Sequence, residues 1–489
     1  MPVSMRVRSP MRPRMRRSAL SAYAMLASLL LCASAFAVAP SPSMPDTPAG
    51  RMLADWLSAF DSADRERIRR FRDTHGIEES VDESVAYRDY SGGLDLISID
   101  ADAPLALEAT LRERDAGQAD VALTLTLDPE CPQRVAAFSV APRPIPRQPE
   151  AEALAGLRQR VEALAAEERF SGTYLIARHG KVLAQDATGW ADRERGRRMR
   201  MDTRLRYASA GKMFTAVAAL QLVDAGKLSL DGTVGDYLPD YPNRDVATRV
   251  RIRHLLAHTG GVGDIGFWDS PELAAPGAFL AYRDRMRTHA DYVAEHAKQP
   301  LAFDPGSQMA YSNFGYVLLG RIVEVVSGMP YERYLQRHVF GPAGMRRTGL
   351  APETARIADR ARGYTWRDGR WTDTRDLLPW RGTAAGGGTT TVGDLLRFAQ
   401  ALQTGRLLSR ERLAEATRSQ NDAGWYGYGF VVVGQGPLRR YGHSGDFPGT
   451  NADVRIFPES GYVLIALSNL DSPAAYRLFR YFEPRMPVE

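Results

Sequence analysis

The stretch Tyr207-Ala208-Ser209-Ala210-Gly211-Lys212-Met213-Phe214-Thr215-Ala216-Val217-Ala218-Ala219-Leu220 sets a serine three residues before a lysine, at the head of an apolar run. Of the 63 basic residues in the chain only four are lysines. Arginine is used almost everywhere a plain positive charge would do. A guanidinium keeps its proton throughout the working pH range, whereas an ammonium can be made to lose one. Ser209 and Lys212, at i and i+3, share one face of a helix expected to begin near Ser209 and to run to about Gly226. The positive end of that helix would disfavour the ammonium and lower its pKa, setting a base beside a hydroxyl nucleophile. By itself the pair reads equally well as a helix N-cap with a surface charge. The other lysines look ordinary: Lys181 follows a hairpin turn, Lys227 follows Gly226, and Lys298 lies three residues after Glu295.

Two later triplets decide between these readings. Tyr311-Ser312-Asn313 follows Phe303-Asp304-Pro305-Gly306 and precedes an apolar helix, and His443-Ser444-Gly445 is followed by Asp446-Phe447-Pro448-Gly449. With S-x-x-K, Y-x-N and H-x-G in this order, the chain resembles the serine β-lactamase and penicillin-binding-protein superfamily, most closely its class C β-lactamase-related esterase branch, over about residues 155–480. Leu255-Leu256-Ala257-His258-Thr259-Gly260-Gly261 and Gly386-Gly387-Gly388 resemble landmarks of that branch outside the catalytic triplets. Tyr241-Pro242-Asn243 also fits Y-x-N but sits in a proline turn. Tyr441–Asp446 lacks the last glycine of a G-x-S-x-G elbow. His254 and His258, spaced like a zinc pair, have Leu255 where glutamate is needed.

The resemblance implies a β-lactamase/transpeptidase-like fold with an antiparallel sheet flanked by helices plus a helical region; with the small α+β domain read from the pattern before it, the chain is mixed α/β (α+β). It implies Ser209 as nucleophile forming an acyl-enzyme, Lys212 and Tyr311 as proton carriers, and Asn313, His443, Gly445 and Asp446 as substrate-binding residues. The N–H groups of Ser209 and Asp446 would form the oxyanion hole. The E-x-x-L-N element of class A enzymes does not appear, so Tyr311 is the candidate for activating the deacylating water. His443 stands where β-lactamases usually carry lysine. A neutral imidazole attracts a substrate carboxylate weakly, which favours an ester or uncharged amide over a β-lactam. No metal or organic cofactor is implied.

The remaining sequence frames this region. Residues 1–18 hold six arginines and no acid, and an apolar stretch from Ala19 to Ala39 follows, with Ala33-Ser34-Ala35 and Ala37-Val38-Ala39 as cleavage sites. Residues 1–39 read as a secretory signal and imply a periplasmic or secreted protein, with an uncleaved membrane anchor as the rival. Without them the formal charge falls from +5 to −1, so no nucleic-acid partner is indicated. Cys131 alone remains, leaving no internal disulfide and no cysteine-based zinc site. Residues 40–49 read as a linker and 50–141 as a small α+β domain. Two helices are expected over 50–74, then strands around 105–111, 121–127 and 135–140, in an outline similar to nuclear-transport-factor-2-like domains. Residues 142–150 form a proline-rich linker, and 151–485 the hydrolase domain. There a helix near 154–164, a hairpin at 172–187, helices at 314–327, 331–338 and 392–402, strands at 428–433, 453–457 and 462–468, and a closing helix over 472–482 are expected. The expected partner is a small ester, amide or peptide substrate. The alternatives are a D,D-peptidase or a non-catalytic binding protein on the same fold.

Overall fold

A computed structural model describes residues 42–488 apart from 79, 116 and 267–276. The expected signal segment, with its cleavage sites, lies outside the described residues. From Met44 onward the chain packs as one unit.

Two adjacent inner strands of the main sheet, Gly172–Arg178 and Tyr462–Ser468, are nearly continuous apolar runs because both faces are covered. They pair antiparallel, with Leu464 opposite Ile176 and Ile465 opposite Leu175. Lys181–Thr188 flanks them on one side, and Thr450–Ile456, Arg440–Phe447 and Val431–Val433 follow on the other, giving six antiparallel strands. Tyr174, Ile176, Leu464 and Ala466 pack against the helices Glu150–Ala166 and Tyr476–Phe482. The alternate residues Leu175, Ala177, Ile465 and Leu467 belong to the larger core, which holds the helices Lys212–Asp224, Asn313–Ser327 and Val392–Gln403. This is the antiparallel sheet flanked by helices, with a helical region, that the motifs implied.

Residues 48–142 build a second layer of structure. Helices Pro48–Asp61, Arg65–His75 and Val81–Ser91 precede a four-stranded meander, Leu94–Ala103, Ala106–Glu113, Asp120–Leu127 and Val135–Pro142. Leu53, Trp56 and Phe60 cover Leu107, Leu111, Val121 and Leu123. The third helix and the first strand are additions to the sequence reading. Val81–Ser91 has no apolar stripe and is defined instead by the Ser80/Glu83 capping box. In Leu94–Ala103, two register shifts break the alternation by which a strand is recognised. The expected strand over 428–433 shortens to Val431–Val433. Gly429 has φ +79°, and a Cβ there would meet the Ala216 methyl at 2.4 Å, so the chain passes the Lys212 helix as a loop.

The junction between the two layers is ionic. Asp115, with a side chain 5% exposed, meets Arg477 at 3.0 Å, Arg160 at 3.7 Å and also Arg169. Arg485 donates to the Gly117 carbonyl at 2.7 Å, and Arg480 lies 4.6 Å from the Tyr90 ring centroid. The proline-rich stretch is tied down as well, with Arg147 donating to the Glu483 and Met486 carbonyls. Replacing Asp115 by alanine strips three guanidinium groups of their shared carboxylate. It is expected to lower the unfolding free energy by about 3 kcal/mol, read from denaturant titration. An unchanged midpoint would show that this cluster does not hold the junction.

Candidate active site

The Ser209 turn is built by close backbone approach. The short strand Leu205–Arg206 pairs with Thr389–Thr390, and the chain then turns through Ala208, whose φ is +44°. Such a conformation costs a non-glycine residue energy unless its surroundings enforce it. Here they do: Gly387 N–H donates to the Ala208 carbonyl at 3.2 Å, and a Cβ on Gly386 would fall 2.4 Å from that same oxygen. From the other side, a Cβ on Gly445 would lie 2.5 Å from Ser209 N. Only glycine lets the Arg440–Phe447 strand come so near. Ser209 itself lies in a 3₁₀ turn, Ala208–Gly211, and the α-helix starts at Lys212 rather than at the serine.

Lys212 is fully buried at the head of a helix whose next eight residues are all buried too. Its Nζ donates to Ala385 O at 2.6 Å and Asn313 Oδ1 at 2.8 Å, and lies 3.3 Å from Ser209 Oγ. Burial lowers its pKa to about 7, with Asp264 opposing the shift. Asn313 is the first residue of its helix, after the Ser312 N-cap. Its N–H donates to Asp264 Oδ1 at 2.7 Å and its Nδ2 to Asp264 Oδ2 at 3.3 Å. Asp264 therefore fixes the amide with Oδ1 turned to Lys212.

Tyr311 keeps 37% of its surface open. Its ring centroid lies 4.6 Å from Lys212 Nζ. Burial of the phenol raises its pKa, Ser209 beside it acts to lower it, and the Asp264 and Asp446 charges add to the rise. Ser209, Lys212, Tyr311, Asn313 and Gly445 thus meet at one place.

The other two expected residues stand differently. His443 is buried behind Tyr311 at a ring distance of 6.4 Å. Its Nδ1–H donates to Ser444 O at 2.6 Å, and Tyr426 OH donates to its Nε2 at 2.9 Å. Burial, with Lys212 second, pushes its pKa down to about 3. With both nitrogens engaged inside the protein, His443 stands as a buried, neutral wall of the site. Asp446 turns its carboxylate away from Ser209, accepting from Tyr476 OH at 2.5 Å and Asn451 Nδ2 at 2.6 Å. Only its backbone is offered to the site.

Rival motifs dissolve into structure. Asn243 caps the Arg244–Arg249 helix. Tyr441–Asp446 lies within a straight strand. His254 Nδ1 accepts from Arg251 N–H and His258 Nδ1 from Ser312 N–H. Among the described residues no three His, Cys, Asp or Glu side chains converge as a metal site. Sequence reasoning missed Asp264, Tyr426 and the Ala385 carbonyl. The first two carry no motif, and the third is a backbone group flagged only by the glycines that follow it.

Residues 157–483 match the beta-lactamase family. The chain is 32% identical over 286 residues to esterase EstB of Burkholderia gladioli, covering 53% of this chain and 71% of that protein. It is 30% identical over 338 residues to penicillin-binding protein 4 of Amycolatopsis lactamdurans, covering 64% and 84%. A penicillin binding protein from Bacillus halodurans superposes with a TM-score of 0.60 at 30% identity, covering 66% of this chain and 98% of that one.

The close approach of Gly445 gives a direct check. Gly445→Ala is expected to slow labelling of Ser209 by a fluorophosphonate about a hundredfold while the melting temperature stays within a few degrees. Labelling at the parent rate would show that the turn does not need this contact.

Proposed function

The chain belongs to the beta-lactamase family, and from that premise we propose that it is an exported serine hydrolase that forms an acyl-enzyme on Ser209 from esters or uncharged amides. The observation that carries this reading is the set of neighbours around Lys212. Asn313 Oδ1 and Ala385 O can only accept. A neutral amine satisfies both with its two N–H bonds, and its lone pair is left for the third neighbour, Ser209 Oγ. With a pKa of about 7, the amine is available near neutral pH.

In the proposed sequence Ser209 Oγ attacks the acyl carbon while its proton passes to Lys212 Nζ. The tetrahedral oxyanion is received by the N–H groups of Ser209 and Asp446, which the contact at Gly445 brings side by side. The C–O or C–N bond to the leaving group then breaks. Tyr311, kept protonated by burial, gives that group its proton, and the proton held on the neighbouring Lys212 replaces the one Tyr311 gave up. Water repeats the cycle on the ester: it loses a proton to the Tyr311–Lys212 pair and adds to the acyl carbon, and as the bond from that carbon to Oγ breaks the pair returns the proton to Ser209 Oγ, releasing the acid.

Substrate class follows from charge. His443 is neutral, and the charged groups felt by Tyr311 are the carboxylates Asp264 and Asp446. A site with no exposed cation at this position gives a substrate carboxylate little to bind. This supports esters and uncharged amides, in line with the esterase relative. The penicillin-binding relatives favour a second reading, a peptidase acting on peptide ends. Export rests on the basic and apolar N-terminal sequence.

Labelling with a fluorophosphonate and a fluorescent penicillin, mapped by mass spectrometry, is expected to mark Ser209, the first reagent faster. No label from either, with no turnover, would make the protein a binding module. Short p-nitrophenyl esters are expected to be cleaved faster than a chromogenic cephalosporin, and the reverse order would overturn the substrate class. Because Lys212 must be neutral to act, kcat/KM for an ester is expected to rise about tenfold per pH unit up to pH 7 and then level. An acid limb centred near pH 4 would assign the base elsewhere.

A further inference from the structure

We propose that His258 is a positioning residue for Tyr311, holding it from both sides in the chain and across its ring. The inference rests on the reading of Tyr311 as a proton carrier.

Residues 301–312 have no helix or strand, and Tyr311 is partly exposed. Nothing in such a segment fixes a phenol to a fraction of an ångström. The segment is instead pinned along residues 258–261: Ala302 N–H donates to Gly261 O at 2.8 Å, Gly306 N–H to Thr259 O at 2.7 Å and Ala310 N–H to His258 O at 2.9 Å. Then comes a contact of another kind. Ser312 N–H donates not to a backbone carbonyl but to His258 Nδ1, at 3.1 Å. The two residues flanking Tyr311 are therefore anchored to the same histidine, one through its carbonyl and one through its ring.

The ring completes the clamp. Its centroid lies 4.2 Å from that of Tyr311, tilted by 37°, with Tyr426 at 4.7 Å and Tyr316 at 5.0 Å behind it. Both contacts require the unusual backbone of His258, whose φ is +59°. This left-handed conformation lets carbonyl and side chain reach the same stretch of neighbouring chain. Because Nδ1 accepts, the single proton of the neutral ring is on Nε2. That atom is buried with no polar partner. Burial keeps the imidazole neutral, and a charge on Lys212 acts the same way. A role confined to packing would need neither the acceptor at Nδ1 nor the left-handed backbone.

The test is a set of single and double variants assayed on a p-nitrophenyl ester. His258→Phe keeps an aromatic ring but removes the acceptor, and it is expected to lower kcat about a hundredfold with KM changed less than threefold. His258→Asn keeps an acceptor near the Nδ1 position and tolerates a positive φ, and it is expected to recover at least a tenth of the parent kcat. In a Tyr311→Phe background, His258→Phe is expected to add less than a threefold loss, since there is no phenol left to position. Parent-like kcat in His258→Phe, or full multiplication of the two losses in the double variant, would overturn the proposal. If His258→Phe does not fold, His258→Asn and its double variant with Tyr311→Phe decide by the same comparison. Parent-like activity of Tyr311→Phe alone would instead remove the reading of Tyr311 on which the proposal stands.

Discussion

The fold around this site depends on one constraint, the burial of the Lys212 amine. An ammonium taken from water into an apolar interior is costly unless it is fully hydrogen-bonded or gives up its proton. Here both outcomes are prepared. Three acceptors surround Nζ: a backbone carbonyl, a fixed amide oxygen and the Ser209 hydroxyl. The lowered pKa leaves the proton loosely held. Each acceptor has to be brought in by a different part of the chain. Ala385 comes from the loop before Gly386, Asn313 from a helix start held by Asp264, and Ser209 from a turn that needs an unusual backbone at Ala208.

Glycine permits that convergence. A Cβ on Gly386 or Gly445 would stand within 2.5 Å of backbone atoms at Ala208 or Ser209, so two loops and a sheet edge can close on the serine only where side chains are absent. The aromatic groups Tyr311, Tyr316, Tyr426 and His258 then fill the space around the amine. They exclude water, which is what lowers the lysine pKa, and Tyr311 and Tyr316 offer ring faces to the ammonium when it forms.

Much of this was legible in the sequence, and what was not has physical reasons. Ser209, Lys212, Tyr311 and Asn313 were found because their chemistry needs particular side chains at particular spacings. The Ala385 carbonyl is marked only by the glycines after it, since any residue supplies a carbonyl. Asp264 acts by orienting an amide, a role that no short pattern encodes. His443 was recognised by motif, but its role turned on burial and on Tyr426, neither of which spacing reveals. His258 reads as a landmark through its surrounding motif alone, while its two acceptors, which serve backbone N–H groups, are visible only in the structure. In the fold, the continuous apolar strands and the apolar run after Lys212 were evident. Val81–Ser91 and Leu94–Ala103 were not, because a capping box and two bulges, rather than periodicity, define them.

The central claim is that Lys212 is an amine of lowered basicity, and the scarcity of lysine makes it directly measurable. Protein labelled with ¹³C at lysine Cε gives four side-chain signals, and the one missing from Lys212→Arg is that of Lys212. Followed against pH, this signal is predicted to shift with a midpoint near 7. A midpoint near the ordinary lysine value of about 10.4 would contradict the account, because the residue would then be a fixed charge beside Ser209 and not its base.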